Sequence, residues 1–194
     1  MDRAKFFDCV REDLFGGAMS AGQVKGCEAI LDAFEQHAPG SDPRWIAYPL
    51  ATAYHETART MQAIREIGGG RGRSYGKPAG PYGQVYYGRG LVQLTWLRNY
   101  ADATKRLPVH GVRKVDLVKN PDAALEPDIA AAILVFGMVE GWFTGRKLGD
   151  YFRGTRSDWV DARAIINGKD RAALIAGYGL HFYHAILAGQ EREA

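Results

Sequence analysis

The stretch that decides the fold lies between His55 and Asn99, and its second half is the run Tyr86-Tyr87-Gly88-Arg89-Gly90-Leu91-Val92-Gln93-Leu94-Thr95-Trp96. Two acids, Glu56 and Glu66, stand upstream of this run, and residues 68–90 are rich in glycine. Two carboxylates, a flexible cover and a row of uncharged hydrogen-bonding groups are what hydrolysis of a sugar polymer requires. The stretch therefore raises the hypothesis of an acid–base hydrolase with a cleft.

Other chemistries find no motif in the same stretch. His55-Glu56 begins like the HExxH pattern of zinc proteases, but position 59 is arginine, so the second histidine ligand is missing. Neither the phosphate-binding pattern GxxxxGK[ST] nor the serine-hydrolase pattern GxSxG occurs. We therefore expect no metal and no other cofactor.

Length and composition favour one globular unit. The chain has 194 residues, of which 46% are hydrophobic and 24% are charged, enough to bury one core and too few for two ordinary domains. We predict a single catalytic domain over residues 1–194, with a helical scaffold at 1–40, a catalytic core at 42–190 and no separate cell-wall-binding domain. The two cysteines, Cys9 and Cys27, are expected to be reduced thiols, with a single bridge between them as the alternative.

Charge limits the partners. The formal net charge is +3, with the basic residues scattered along the chain. This mild excess suits an anionic polymer such as a bacterial cell wall but does not demand nucleic acid. Charged residues interrupt the apolar runs of the N-terminus, so we expect neither a signal peptide nor a segment that inserts in a membrane.

Apolar periodicity predicts a mainly α fold. Helices are expected over residues 3–15 and after Ser20, which forms a capping-box pattern with Gln23. A third apolar stripe runs from Ile46 to Ile64 and contains Pro49, which either starts the helix or kinks it.

The second half of the chain continues this pattern. The glycine-rich segment 68–90 predicts a loop with a possible small hairpin, and Thr95 is a candidate N-cap for the helix after it. Glu126-Pro127 opens an apolar core helix that extends to Phe143, and a last helix covers about 171–187.

Each candidate residue also has a purely structural interpretation. Glu56 could be a solvated helix residue paired with Arg59 or Arg65. Gln93, Thr95 and Asn99 could be a capping group and its neighbours. From the residues alone, the prediction reaches a helical, cleft-forming acid–base hydrolase and no further.

At these residues the sequence resembles the family 19 glycoside hydrolases, which include plant-type chitinases and many bacteriophage endolysins. The resemblance is carried by the 86–96 run with Asn99-Tyr100, by His55-Glu56-Thr57 and by Ile165-Ile166-Asn167-Gly168. It implies an inverting hydrolase with a lysozyme-like, two-lobed helical fold around a substrate cleft.

The resemblance also implies roles for individual residues. Glu56 matches the general acid, Glu66 the general base, and Thr95 the hydroxyl that helps to hold the attacking water. Inversion then predicts carboxyl groups roughly 6.5–9.5 Å apart. The residues expected to bind substrate are His55, Tyr87, Arg89, Gln93, Trp96, Asn99 and Asn167.

Two departures point to the endolysin branch. Plant chitinases of the family carry several disulfides, whereas this chain has two cysteines, both outside the matched residues. They also carry an arginine on the last helix, whereas residues 177–183 of this chain contain none. We therefore expect a monomer made in the host cytoplasm that acts on peptidoglycan glycan strands after a holin or similar protein releases it. The alternatives are a chitinase acting on N-acetylglucosamine polymers, and a non-catalytic glycan- or nucleic-acid-binding module that uses Arg71 and Arg73.

Overall fold

The computed structural model describes residues 1–190. Within them, seven α-helices carry the fold: α1 (Arg3–Phe15), α2 (Ala21–His37), α3 (Pro43–Glu56), α4 (Leu97–Arg106), α5 (Pro127–Glu140), α6 (Leu148–Tyr151) and α7 (Ala172–Gln190). The predicted mainly α class is confirmed. The boundaries of the single domain stay a prediction, and its last four positions lie outside the described residues.

Most helix starts follow from local chemistry in the sequence. The Asp2 carboxylate accepts a hydrogen bond from the Lys5 backbone at the start of α1. Ser20 and Gln23 form the predicted capping box of α2. The core helix α5 begins at Pro127 as predicted but ends at Glu140 and is capped by Gly141, whose φ is 80°, so its predicted extension to Phe143 is wrong.

Helix α3 differs from its prediction at both ends. It begins at Pro43, capped by Asp42, and runs on through Pro49, so a start at Pro49 is wrong. It stops at Glu56, although the apolar stripe continues to Ile64. Ala58, Arg59 and Met61 adopt positive φ and turn the chain, which brings the Met61 carbonyl so close to α2 that a side chain at Gly26 would overlap it.

Four two-residue strands form two small antiparallel pairs. β1 (Ile64–Arg65) pairs with β2 (Arg89–Gly90), with Ile64 opposite Gly90. These strands close the two ends of the glycine-rich loop, in which a short 3₁₀ turn covers Ser74–Gly76. β3 (Phe152–Arg153) and β4 (Arg156–Ser157) form a tight hairpin that was not predicted.

The core forms where α7 packs against α1 and α3, and where α5 packs against α2. By length and apolar content α7 could cross a membrane, and the expectation that no segment inserts in a membrane stays a prediction. In the fold this helix buries Ile175, Phe182 and Ile186 against its neighbours. Its apolar character is thus accounted for by the core of the protein.

Both thiols are free, as predicted. Cys27 is fully buried in the core cluster, and burial raises its pKa to about 12. The thiol therefore stays protonated and behaves as a small apolar side chain.

Candidate active site

A cavity of about 410 Å³ separates the end of α3 from the segment that precedes α4. Its lining residues are Glu56, Tyr75, Val92, Gln93, Leu94, Thr95, Trp96, Asn99, Phe143, Ile166 and Asn167. Six of the ten predicted site residues are therefore brought together here, from three parts of the chain that are far apart in sequence. Glu66, His55, Tyr87 and Arg89 are not among the lining residues.

Glu56 is the last residue of α3, and its side chain is only 18% exposed. Its Oε1 atom accepts a hydrogen bond of 2.8 Å from Nη1 of Arg163. Within the described residues, Oε2 accepts no hydrogen bond. A charge-assisted contact on one oxygen fixes the carboxyl group and leaves the other oxygen available to a ligand in the cavity.

Arg163 is the residue that the sequence analysis missed. It lies in the 3₁₀ turn Asp161–Ile165, is 2% exposed, and also donates from Nε to the Asp170 carbonyl at 3.0 Å. The last helix lacks the arginine that plant members of the resembling family have there, and Arg163 brings a guanidinium to the acid from a different segment. The signal was an arginine flanked by Ala162 and Ala164 and followed by Ile165, because a charge in an apolar run needs a buried partner.

Glu66 follows β1 and is held from two sides. Its Oε1 accepts a hydrogen bond from the Tyr75 hydroxyl at 2.9 Å, and its Oε2 accepts one from the Gly88 backbone at 2.9 Å. Tyr75 lines the cavity and makes an edge contact with the Trp96 ring. Tyr75 therefore connects the second acid to the cavity.

Burial, followed by the hydrogen bond to Glu66, raises the pKa of Tyr75. The phenol is therefore protonated at neutral pH and acts as the donor in this contact. The two donors, one on each oxygen, fix the orientation of the Glu66 carboxyl group.

The glycines of the motif make room for these contacts. A side chain at Gly88 would come within 2.8 Å of the Gln93 amide oxygen and 3.2 Å of Cβ of Glu66. Gln93 in turn donates from Nε2 to the carbonyls of Ile64 and Gly90, at 3.1 and 3.2 Å. Gln93, which lines the cavity, is thus hydrogen-bonded to both strands of the β1–β2 pair.

The segment before α4 carries backbone strain. Gln93 and Trp96 have φ of 52° and 70°, and such left-handed conformations in bulky residues cost about 1–3 kcal/mol each. Trp96 occupies the N-cap position, so the prediction that Thr95 caps α4 is wrong. Asn99 donates to the Thr95 carbonyl at 2.9 Å, and both side chains line the cavity.

Arg89 is buried beside the glycine-rich loop and holds its end in place. It is 4% exposed, pairs with Asp122 at 2.7 Å, and places its guanidinium 3.7 Å from the centre of the Tyr87 ring. It also donates to the Tyr100 hydroxyl at 3.1 Å, and burial raises the pKa of Tyr100 to about 12. The structure therefore places the Arg89 guanidinium in the support of the loop, and substrate contact by Arg89 and Tyr87 stays a prediction.

His55 is half-buried beside Glu56 and does not reach the cavity lining. Burial is the main cause that lowers its pKa. The ring is therefore neutral at neutral pH, and its predicted contact with substrate stays a prediction.

Comparison with known proteins gives one clear result. No protein-family model matches the chain, and no curated protein is significantly similar to it in sequence. Solved structures do match.

A class IV chitinase of family 19 from Zea mays aligns with a TM-score of 0.57 and 20% identity, over 100% of this chain and 94% of that one. A bacterial family 19 chitinase aligns at 0.54 and 21%, over 94% and 93%. Chitinase C from Streptomyces griseus aligns at 0.51 and 21%, over 96% and 75%. The chain therefore has the mainly α, lysozyme-like fold of the family 19 chitinases.

Proposed function

We propose that the protein is a glycoside hydrolase that cleaves the glycan strands of peptidoglycan with inversion, as an endolysin of the lysozyme type. One observation carries the proposal: Glu56, Gln93, Thr95, Asn99 and Asn167, singled out from sequence, line a single cavity. The fold shared with family 19 chitinases supports the reaction class.

Glu56 acts as the general acid. Its Oε1 is engaged by Arg163, so Oε2 carries the proton that is given to the leaving glycosidic oxygen. Fixing the carboxyl group before substrate arrives reduces the entropy lost at the transition state. The same contact stabilises the carboxylate that remains after proton transfer.

Glu66 acts as the general base. The Tyr75 hydroxyl and the Gly88 backbone hold its carboxylate, and the water that it activates attacks the sugar from the face opposite Glu56. The Thr95 hydroxyl makes no hydrogen bond within the described residues and is available to position that water.

Sugar binding falls to the remaining lining residues. The amides of Asn99 and Asn167 can bind hydroxyl and N-acetyl groups. Trp96 is 50% exposed at the cavity, so its ring offers an apolar face to a sugar ring.

Product analysis tests the proposal. Purified peptidoglycan and chitin oligomers are incubated with the protein, and the released saccharides and their reducing ends are identified by mass spectrometry. We expect cleavage of peptidoglycan glycan, lost by several powers of ten in Glu56→Gln and in Glu66→Gln. The matched control is Glu28→Gln, an exposed acid on α2, which should keep full activity.

Lysis is tested separately, by turbidity of chloroform-permeabilised Gram-negative cells. Clearing by the unaltered protein supports the endolysin role. Full clearing by Glu56→Gln would exclude that residue as the acid.

A chitinase is the second candidate, because the similar solved structures are chitinases. The same two substrates separate the candidates. Cleavage of chitin oligomers without release of any peptidoglycan fragment would favour the chitinase and overturn our first choice.

A further inference from the structure

A second concavity, of about 420 Å³, lies around the β3–β4 hairpin. Its lining residues are Arg146, Gly149, Asp150, Tyr151, Arg153 and Arg156. Three of the six are arginines, and we call this feature the arginine concavity. It shares no lining residue with the candidate active site.

Its lining carries a net positive charge, because three arginines stand against one carboxylate, that of Asp150. Arg146 and Arg153 are exposed and form no ion pair within the described residues. Arg156 forms one ion pair, at 3.4 Å with Asp158, and its guanidinium lies 5.9 Å from the centre of the Tyr151 ring. The Asp150 carboxylate accepts a hydrogen bond from the Lys147 backbone at 3.0 Å. The arginine concavity therefore offers several free guanidinium donors to an anion.

The backbone that carries these arginines is fixed by α3. Arg44 donates to the carbonyls of Gly154 and Arg156 at 3.1 and 2.9 Å. The Trp45 indole donates to the Phe152 carbonyl at 2.9 Å. A hairpin held in this way presents Arg153 and Arg156 with little backbone ordering left to lose on binding.

The arginine concavity adjoins the candidate active site. Phe143 lines the active-site cavity, and Arg146 follows it by three residues, a span of at most about 11 Å even in an extended chain. The Thr144 hydroxyl between them is anchored at 2.8 Å to the carbonyl of Ala164. One glycan chain with its substituents can therefore reach both places.

We propose that the arginine concavity is an anion subsite that takes a carboxylate carried by the glycan substrate, such as those of the peptides attached to peptidoglycan strands. Guanidinium groups bind carboxylates through paired, charge-assisted hydrogen bonds. A neutral N-acetylglucosamine polymer has no group to offer here. The inference rests on the proposed function and deepens it, because the subsite favours a peptide-substituted glycan over chitin.

Binding of insoluble polymers tests the subsite without relying on hydrolysis. Co-sedimentation is measured in the Glu56→Gln background with protease-treated Gram-negative sacculi, with the same sacculi after conversion of their carboxyl groups to amides, and with chitin beads. The test variant combines Arg146→Gln, Arg153→Gln and Arg156→Gln. The matched control removes three exposed lysine charges, with Lys105→Gln, Lys114→Gln and Lys119→Gln.

We expect the arginine variant to bind intact sacculi about ten-fold more weakly than the lysine variant, a difference of about 1.4 kcal/mol, since each exposed charge pair contributes only modestly to binding. Both variants should bind amidated sacculi and chitin beads equally. A variant that combines Arg146→Lys, Arg153→Lys and Arg156→Lys keeps the three positive charges and should keep most of the binding that the glutamine variant loses. In the protein with its arginines intact, added salt should weaken binding to intact sacculi more than binding to chitin.

Equal binding of intact sacculi by the two variants would overturn the subsite, as would an equal loss on chitin beads. Tighter binding of duplex DNA than of sacculi at the same salt concentration would favour a nucleic-acid partner instead and would also overturn it. Failure of the proposed function looks different: no saccharide is released from any polymer, whatever the binding.

Discussion

Replacing Arg163 with methionine tests the electrostatic design of the site. The change removes a 2.8 Å charge-assisted bond to Glu56 and a 3.0 Å bond to the Asp170 carbonyl, both made by a side chain that is 2% exposed. The first bond contributes about 1.5–3 kcal/mol and the second about 1 kcal/mol. We therefore expect a loss of about 3 kcal/mol in the free energy of unfolding, or roughly 6–12 °C in Tm.

The assay is a double-mutant cycle by denaturant unfolding. Arg163→Met alone leaves the Glu56 carboxylate without its partner, whereas adding Glu56→Gln removes that charge. The double variant should therefore be less destabilised than the sum of the single changes, by about 1–2 kcal/mol.

Additive effects within about 0.5 kcal/mol would refute the coupling. Arg11→Met, which breaks an exposed pair with Asp8, is the control and should change stability by less than about 0.5 kcal/mol. Glycan turnover by Arg163→Met should also fall by about 10²-fold, because a misplaced acid loses its alignment with the substrate.

Three further changes test other parts of the structure. Tyr75→Phe removes one donor to the predicted base, so kcat should fall about ten-fold with little change in KM. In α7, a Cβ added at Gly177 would have no atom within 4 Å, so Gly177→Ala should raise Tm by about 2–4 °C through its higher helix propensity. A Cβ added at Gly179 would come within 2.8 Å of the Trp159 ring, so Gly179→Ala should lower Tm. Hydrogen bonds from Arg65 and Arg89 lower the pKa of Asp122 from 3.8 in the folded protein. As pH falls, the unfolded chain therefore takes up the proton first, so the free energy of unfolding decreases below about pH 4. Asp122→Asn should flatten this part of the pH profile of unfolding.

Local signals in the sequence were enough for the starts of α1, α2 and α5, and the resemblance to a known family was enough for most of the cavity residues. The capping box at Ser20 and the proline at position 127 act within one turn of the chain, so they can be interpreted without the fold. The 86–96 run also keeps its residues close to one another through short-range turns.

Helix ends and long-range partners could not be predicted in this way. The end of α3 is set by the left-handed residues after it and by the contact of Met61 with Gly26 of α2, which no periodicity reveals. Arg163 lies 107 positions from Glu56 in sequence. Trp96 at the N-cap position is strained, and such sites break the propensity rules on which prediction rests.

The most direct test of the central claim is the anomeric configuration of the product, followed by NMR during cleavage of a β-linked glycan. Two carboxylates that act as acid and base through an intervening water predict that the α-anomer forms first. Initial formation of the β-anomer would contradict the assignment of Glu66 as base. It would show that a covalent intermediate forms instead.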